Sequence, residues 1–108
     1  MLFRSALQAY EHAVKLDPRL VAAYCNVANI HLSAERYAQA EEALDRALTV
    51  DSTHALAYNS LGSVHMMRRE YKAAASAYER AARLDPTDPG IRRNLTQARK
   101  LAADAAPR

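Results

Sequence analysis

The feature that most limits what this chain can become is a gapless period of 34 residues. Residues 21–54 laid over 55–88 share ten identities in 34 columns: Ala23/Ala57, Tyr24/Tyr58, His31/His65, Tyr37/Tyr71, Ala40/Ala74, Ala43/Ala77, Arg46/Arg80, Ala47/Ala81, Asp51/Asp85 and Thr53/Thr87. The register also runs backwards, with Phe3, Ala6, Tyr10, Ala13, Leu16 and Asp17 each 34 places before a residue of similar type. Forwards, Asn94 and Leu95 fall 34 after Ser60 and Leu61. Such a period marks a stacked array, in which no unit buries its apolar face alone and neighbours cover one another.

Each unit reads as two helices. Tyr24, Val27, Ala28 and His31 recur at spacings of three and four, which places them on one helical stripe. Ala40, Ala43, Leu44 and Ala47 do the same in the second half, and Ser33-Ala34-Glu35-Arg36 between them is the short link of a helical hairpin. Ala28, Gly62, Ala40 and Ala74 leave gaps for bulky Tyr24, Tyr58, Leu44 and Tyr78. Asp17-Pro18, Asp51-Ser52 and Asp85-Pro86 punctuate the units, each offering an Asx oxygen to cap the following helix. Asp88-Pro89 repeats that pattern and predicts a last helix through Leu101. With 24 alanines, two glycines and four prolines, the chain has too few turn formers for a many-stranded sandwich or barrel. The expected fold is all-α, a solenoid of antiparallel helix hairpins. Its parts are a second helix of a truncated repeat (1–20), full repeats at 21–54 and 55–88, a capping helix at 89–104 and a fraying tail at 105–108.

Charge and composition exclude several functions. Net charge is +3, with five basic and seven acidic side chains in residues 1–54 against ten and five in 55–108. That asymmetry favours an anionic partner at the C-terminal end, yet it falls short of the dense basic stripe of a nucleic-acid binder. No apolar run approaches the ~18 residues of a membrane span, and MLFRSALQAY lacks the apolar core of a secretory signal. A cytoplasmic address is therefore the default, and neither nucleic acid nor membrane is expected as a partner. The single cysteine, Cys25, has no spacing partner that would act as its base, and a small semi-buried side chain accounts for it. His31 and His65 would stack on adjacent hairpins, but no carboxylate or thiol is placed to complete four ligands, so no metal or cofactor is expected. Phosphate loops, zinc-protease pairs and serine elbows are all missing, so the chain is read as non-catalytic. Arg68-Arg69 is explained by a helix C-terminus. Asn94-Leu95-Thr96 fits a glycosylation acceptor by letter but lies in a predicted helix.

The column chemistry resembles the tetratricopeptide repeat. Tyr58-x-x-Leu61-Gly62-x-x-His65, Ala74-x-x-x-Tyr78 and Pro86 follow that family's Trp-x-x-Leu-Gly-x-x-Tyr, Ala-x-x-x-Phe and Pro at its 34-residue period. The preceding unit follows it with Tyr24, Val27, Ala28, His31, Ala40 and Leu44. Departures are His31 and His65 for tyrosine, Ser52 for proline, and Glu35 and Arg69 where the family often has glycine. A left-handed backbone at Glu35 and Arg69 would cost of order 1 kcal/mol each. The chain also opens in mid-unit and so reads as the C-terminal part of a longer array. Phe3, Leu7, Tyr10 and Val14 then lack the first helix that would cover them, which makes them candidates for self-association.

The resemblance implies a right-handed superhelix whose concave face, built from the first helix of each unit, holds an extended peptide or a partner's helix. By column its positions are Ala22, Cys25, Asn26, Asn29 and Ser33; then Leu56, Asn59, Ser60, Ser63 and Met67; then Arg93, Gln97 and Lys100. Of these, Cys25, Asn26, Asn29, Asn59, Ser63, Met67, Arg93, Gln97 and Lys100 form the candidate partner-binding set. An asparagine amide offers two donors and an acceptor to a peptide backbone, and Arg93 with Lys100 adds a preference for acidic residues. The Met66-Met67 pair could form an adaptable contact, with Met66 equally suited to the core. Repeats that clamp acidic chaperone C-termini use lysine, asparagine, asparagine, lysine and arginine in columns that here hold Cys25, Asn29, Ser60, Gly90 and Asn94. One match with every cation missing argues against that clamp. Three functions compete: an interaction module or scaffold binding a protein segment, a homo-oligomeric scaffold assembling through the N-terminal helix, and a substrate-selecting segment of a larger enzyme.

Overall fold

The computed structural model describes residues 19–105, and within them the backbone forms five α-helices and no strand. They are α1 (Arg19–Ser33), α2 (Tyr37–Val50), α3 (Ala55–Met67), α4 (Tyr71–Leu84) and α5 (Pro89–Ala105). Helix α1 opens at Arg19, ahead of the unit boundary drawn at residue 21, and α5 runs on to Ala105 rather than stopping at Leu101. Leu101-Ala-Ala-Asp-Ala105 holds no glycine or proline, so nothing in it breaks the backbone ladder.

Helix α1 packs on α2, α3 on α4, and α5 closes against α4; α2 also lies on α3, and α1 reaches α3. The alanine gaps foreseen in the sequence are filled. Ala40, Ala43, Leu44 and Ala47 of α2 meet Val21, Tyr24, Cys25 and Ala28 of α1 and Ala57 and Val64 of α3 in one buried cluster. Tyr58, Ala81 and Ile91 join α3, α4 and α5, and Ala74, Tyr78 and Ala98 seal α4 to α5. Val27, on the predicted apolar stripe of α1, is instead 39% exposed.

The turns inside both hairpins are alike. Glu35 and Arg69 have φ of 61° and 63°. Arg36 N–H donates to the His31 carbonyl at 2.8 Å and Glu35 N–H to the Leu32 carbonyl at 3.0 Å. Glu70 to His65 and Arg69 to Met66 repeat the pair at 2.9 and 3.0 Å. This is the Schellman closure, which requires a left-handed residue just past the helix end. Glycine's column is thus occupied by two side chains that oppose the conformation.

The caps correct one expectation. Asp51 and Asp85 do not cap α3 and α5; they terminate the helices before them and turn onto Thr53 and Thr87. Those bonds from Thr53 hold the Asp51 carboxyl below the usual carboxylate range. The caps sit three residues later, where an N-cap acceptor can reach the first free N–H groups. His54 Nδ1 accepts from Ala57 N–H at 3.2 Å, and Asp88 Oδ1 accepts from Gly90 and Ile91 at 2.8 and 3.3 Å. Asp17 lies outside the described residues.

Candidate partner-binding groove

The first helices α1 and α3 lie side by side, and one side-chain bond ties α3 to α5: Asn94 Nδ2 donates to Asn59 Oδ1 at 3.1 Å. Asn59 and Asn94 stand in adjoining columns of successive units, so two neighbouring first helices can bring their amides together. The sequence reading gave Asn59 to a partner and missed Asn94. In the structure the Asn59 oxygen is engaged within the chain and the residue is half-buried. Its NH2 group keeps donor capacity.

On either side the polar side chains are open. Asn26, Asn29 and Ser33 of α1 are exposed, as are Arg93, Gln97 and Lys100 of α5. Helix α5 brings its three together along a broad depression of about 730 Å³, which Arg92, Thr96, Leu101 and Asp104 also line. Ser63 and Met67 of α3 line a second recess of about 360 Å³ with Leu32, Ser33, Glu35, Met66 and Tyr78. Met66 packs partly on the α4–α5 core while Met67 is 54% exposed, so the methionine pair divides between core and surface.

Two positions leave the concave set. Cys25 is fully buried among α1 and α2 side chains, and burial pushes its thiol up, away from the reactive thiolate. It belongs to the core because residue 25 shares a helical side with Val21 and Ala28. Ser60 is buried as well. Ala22 and Leu56 are exposed on the first turns of their helices. Phe3, Leu7, Tyr10 and Val14 lie outside the described residues.

The histidine column is occupied differently in each unit. His65 Nδ1 pairs with Glu70 Oε1 at 3.1 Å, whereas the equivalent neighbour of His31 is Arg36, itself a donor. The buried His31 Nδ1 has no hydrogen-bond partner among the described residues. No three His, Cys, Asp or Glu side chains among the described residues converge in a metal-holding group. None of the described helices is long and apolar enough to cross a membrane.

An all-α helical-repeat solenoid with a polar first-helix face is the class these features define. The family model for the tetratricopeptide repeat matches residues 2–49 and 26–89, and the chain belongs to that family. Among solved structures it is similar to the Arabidopsis OM64 TPR domain, at 27% identity and a TM-score of 0.71 over 92% of this chain and 82% of that one. It is similar to MamA at 27% identity and a TM-score of 0.72, covering 94% of this chain and 60% of that one. The first TPR of Spaghetti (RPAP3), bound to the HSP90 peptide SRMEEVD, shares the fold at 21% identity and a TM-score of 0.74, over 94% of this chain and 80% of that one. A search of curated protein sequences returns no match.

Proposed function

We propose that this chain is a non-catalytic protein-interaction module whose first-helix face holds an extended segment of another protein. One observation carries the reading: the Asn59–Asn94 amide pair is flanked by exposed Asn26 and Asn29 on α1 and exposed Arg93, Gln97 and Lys100 on α5. Amides grip a peptide backbone without choosing its side chains, and the α5 cations add a preference for acidic residues. The Spaghetti domain, solved with a peptide, supports the use of this fold for such a ligand. The test is a pull-down from lysate with Asn29→Ala, Asn59→Ala and Arg93→Ala. Each is expected to weaken partner capture several-fold with unchanged helicity by circular dichroism. Undiminished capture by all three variants overturns the reading.

A second reading, self-association through α1, is favoured by two exposed apolar side chains. Val27 and Ile30 are 39% and 66% exposed. Their equivalents on α3, Leu61 and Val64, pack into the cluster that contains α2.

A further inference from the structure

We propose that the recess between the C-terminal ends of α1 and α3 is a subsite for a lysine side chain of the bound segment. The inference rests on the groove reading and adds what that groove selects. The walls are apolar and adaptable: Leu32 of α1 and Met66 and Met67 of α3 line it. Such walls suit an unbranched aliphatic stem, and methionine yields to the shape it meets.

The polar lining decides what the stem must end in. Ser63 Oγ donates to the Asn59 carbonyl at 3.3 Å and lies 3.1 Å from the Tyr78 hydroxyl. A serine hydroxyl has one proton. Either hydroxyl can donate to the other, and in both arrangements the two oxygens keep lone pairs for an incoming donor. Glu35 adds a carboxylate at the edge, and Ser33 a hydroxyl. Hydroxyl acceptors beside a carboxylate rim complement a cationic donor, and the carboxylate disfavours an acidic side chain.

The equivalent recess of the second hairpin, against α5, is lined by charges of both signs, Arg69, Glu70 and Lys72, whereas Glu35 is the one charged residue lining the recess between α1 and α3.

The test titrates the full chain, ¹³C-labelled at its methionine methyl groups, with blocked tripeptides Ala-X-Ala in which X is lysine, norleucine, arginine or glutamate. Norleucine keeps the stem and removes the ammonium. Lysine is expected to move the Met66 and Met67 methyl signals with an affinity about threefold to fivefold above norleucine, and glutamate to leave them in place. The lysine advantage should shrink in Glu35→Gln, in Tyr78→Phe and at high salt. Glu35→Gln is an exposed change that leaves the core untouched, so it decides the matter even where Tyr78→Phe loosens the fold. Norleucine binding as well as lysine, arginine binding better, or methyl signals that none of the tripeptides moves would each overturn the subsite. Failure of the groove reading is seen separately, in undiminished partner capture by the asparagine and arginine variants.

Discussion

Glu35 and Arg69 each hold a left-handed backbone position that glycine would occupy without a Cβ clash. The two hydrogen bonds closing each turn show that the conformation is required by the hairpin and is not a local irregularity. Arg69→Gly and Glu35→Gly should therefore each raise stability by about 0.5–1 kcal/mol, the relief of the Cβ clash being partly offset by the greater freedom of glycine in the unfolded chain. Urea denaturation checks this, with Arg69→Ala as the control: alanine removes the charge but keeps the strain and should give no gain. Equal stabilisation by alanine and glycine would assign the effect to charge. The column was visible in the sequence through the family resemblance, as a departure from the glycine that tetratricopeptide repeats often place there. What Glu35 does once turned was not visible. It approaches Ser63, Met66, Met67 and Tyr78 only after α3 and α4 have been laid against α1 and α2.

Helix pairing rests on matched sizes at facing columns. A Cβ added to Gly62 would lie 2.5 Å from Tyr78 Cε1, and the Tyr78 ring is buried against α5 and bonded to Ser63, so it cannot swing aside freely. One unit earlier the same two columns hold Ala28 and Leu44, both buried. The units thus exchange a methyl group on the first helix for a ring on the second. Gly62→Ala is expected to destabilise by about 1–3 kcal/mol through overpacking. Adding Tyr78→Leu, which recreates the pair of the first unit, should return part of that loss and give a favourable coupling of about 1 kcal/mol in a double-mutant cycle. Additive losses would show that the ring yields without strain. The helices and their tight columns were legible because helical spacing and a 34-residue period specify them together. The caps were less so. Asp51 and Asp85 have the right chemistry for a cap, but bond Thr53 and Thr87 first, and the capping role passes to His54 and Asp88.

At the scale of the whole molecule, a stacked array is stable to the extent that each unit covers the one beside it. Helix α3 shows what that cover does: Val64 is fully buried and Leu61 packs into the same cluster as α2. Helix α1 carries Val27 and Ile30 in those columns, with Ile30 66% exposed. Light scattering behind a sizing column, across a concentration series, measures the consequence. If α1 is an assembly face, the molar mass should climb above the 12.0 kDa of the chain as concentration rises. Ile30→Asp should then hold it at the monomer value without loss of helicity, because a charge there has no partner once buried and no penalty while exposed. A mass that stops at twice the monomer means the same face meets itself about a two-fold axis. A mass that keeps growing means the face meets a different surface on the next copy, since only a heterologous contact can propagate. A constant 12.0 kDa at every concentration would rule out self-association through this face.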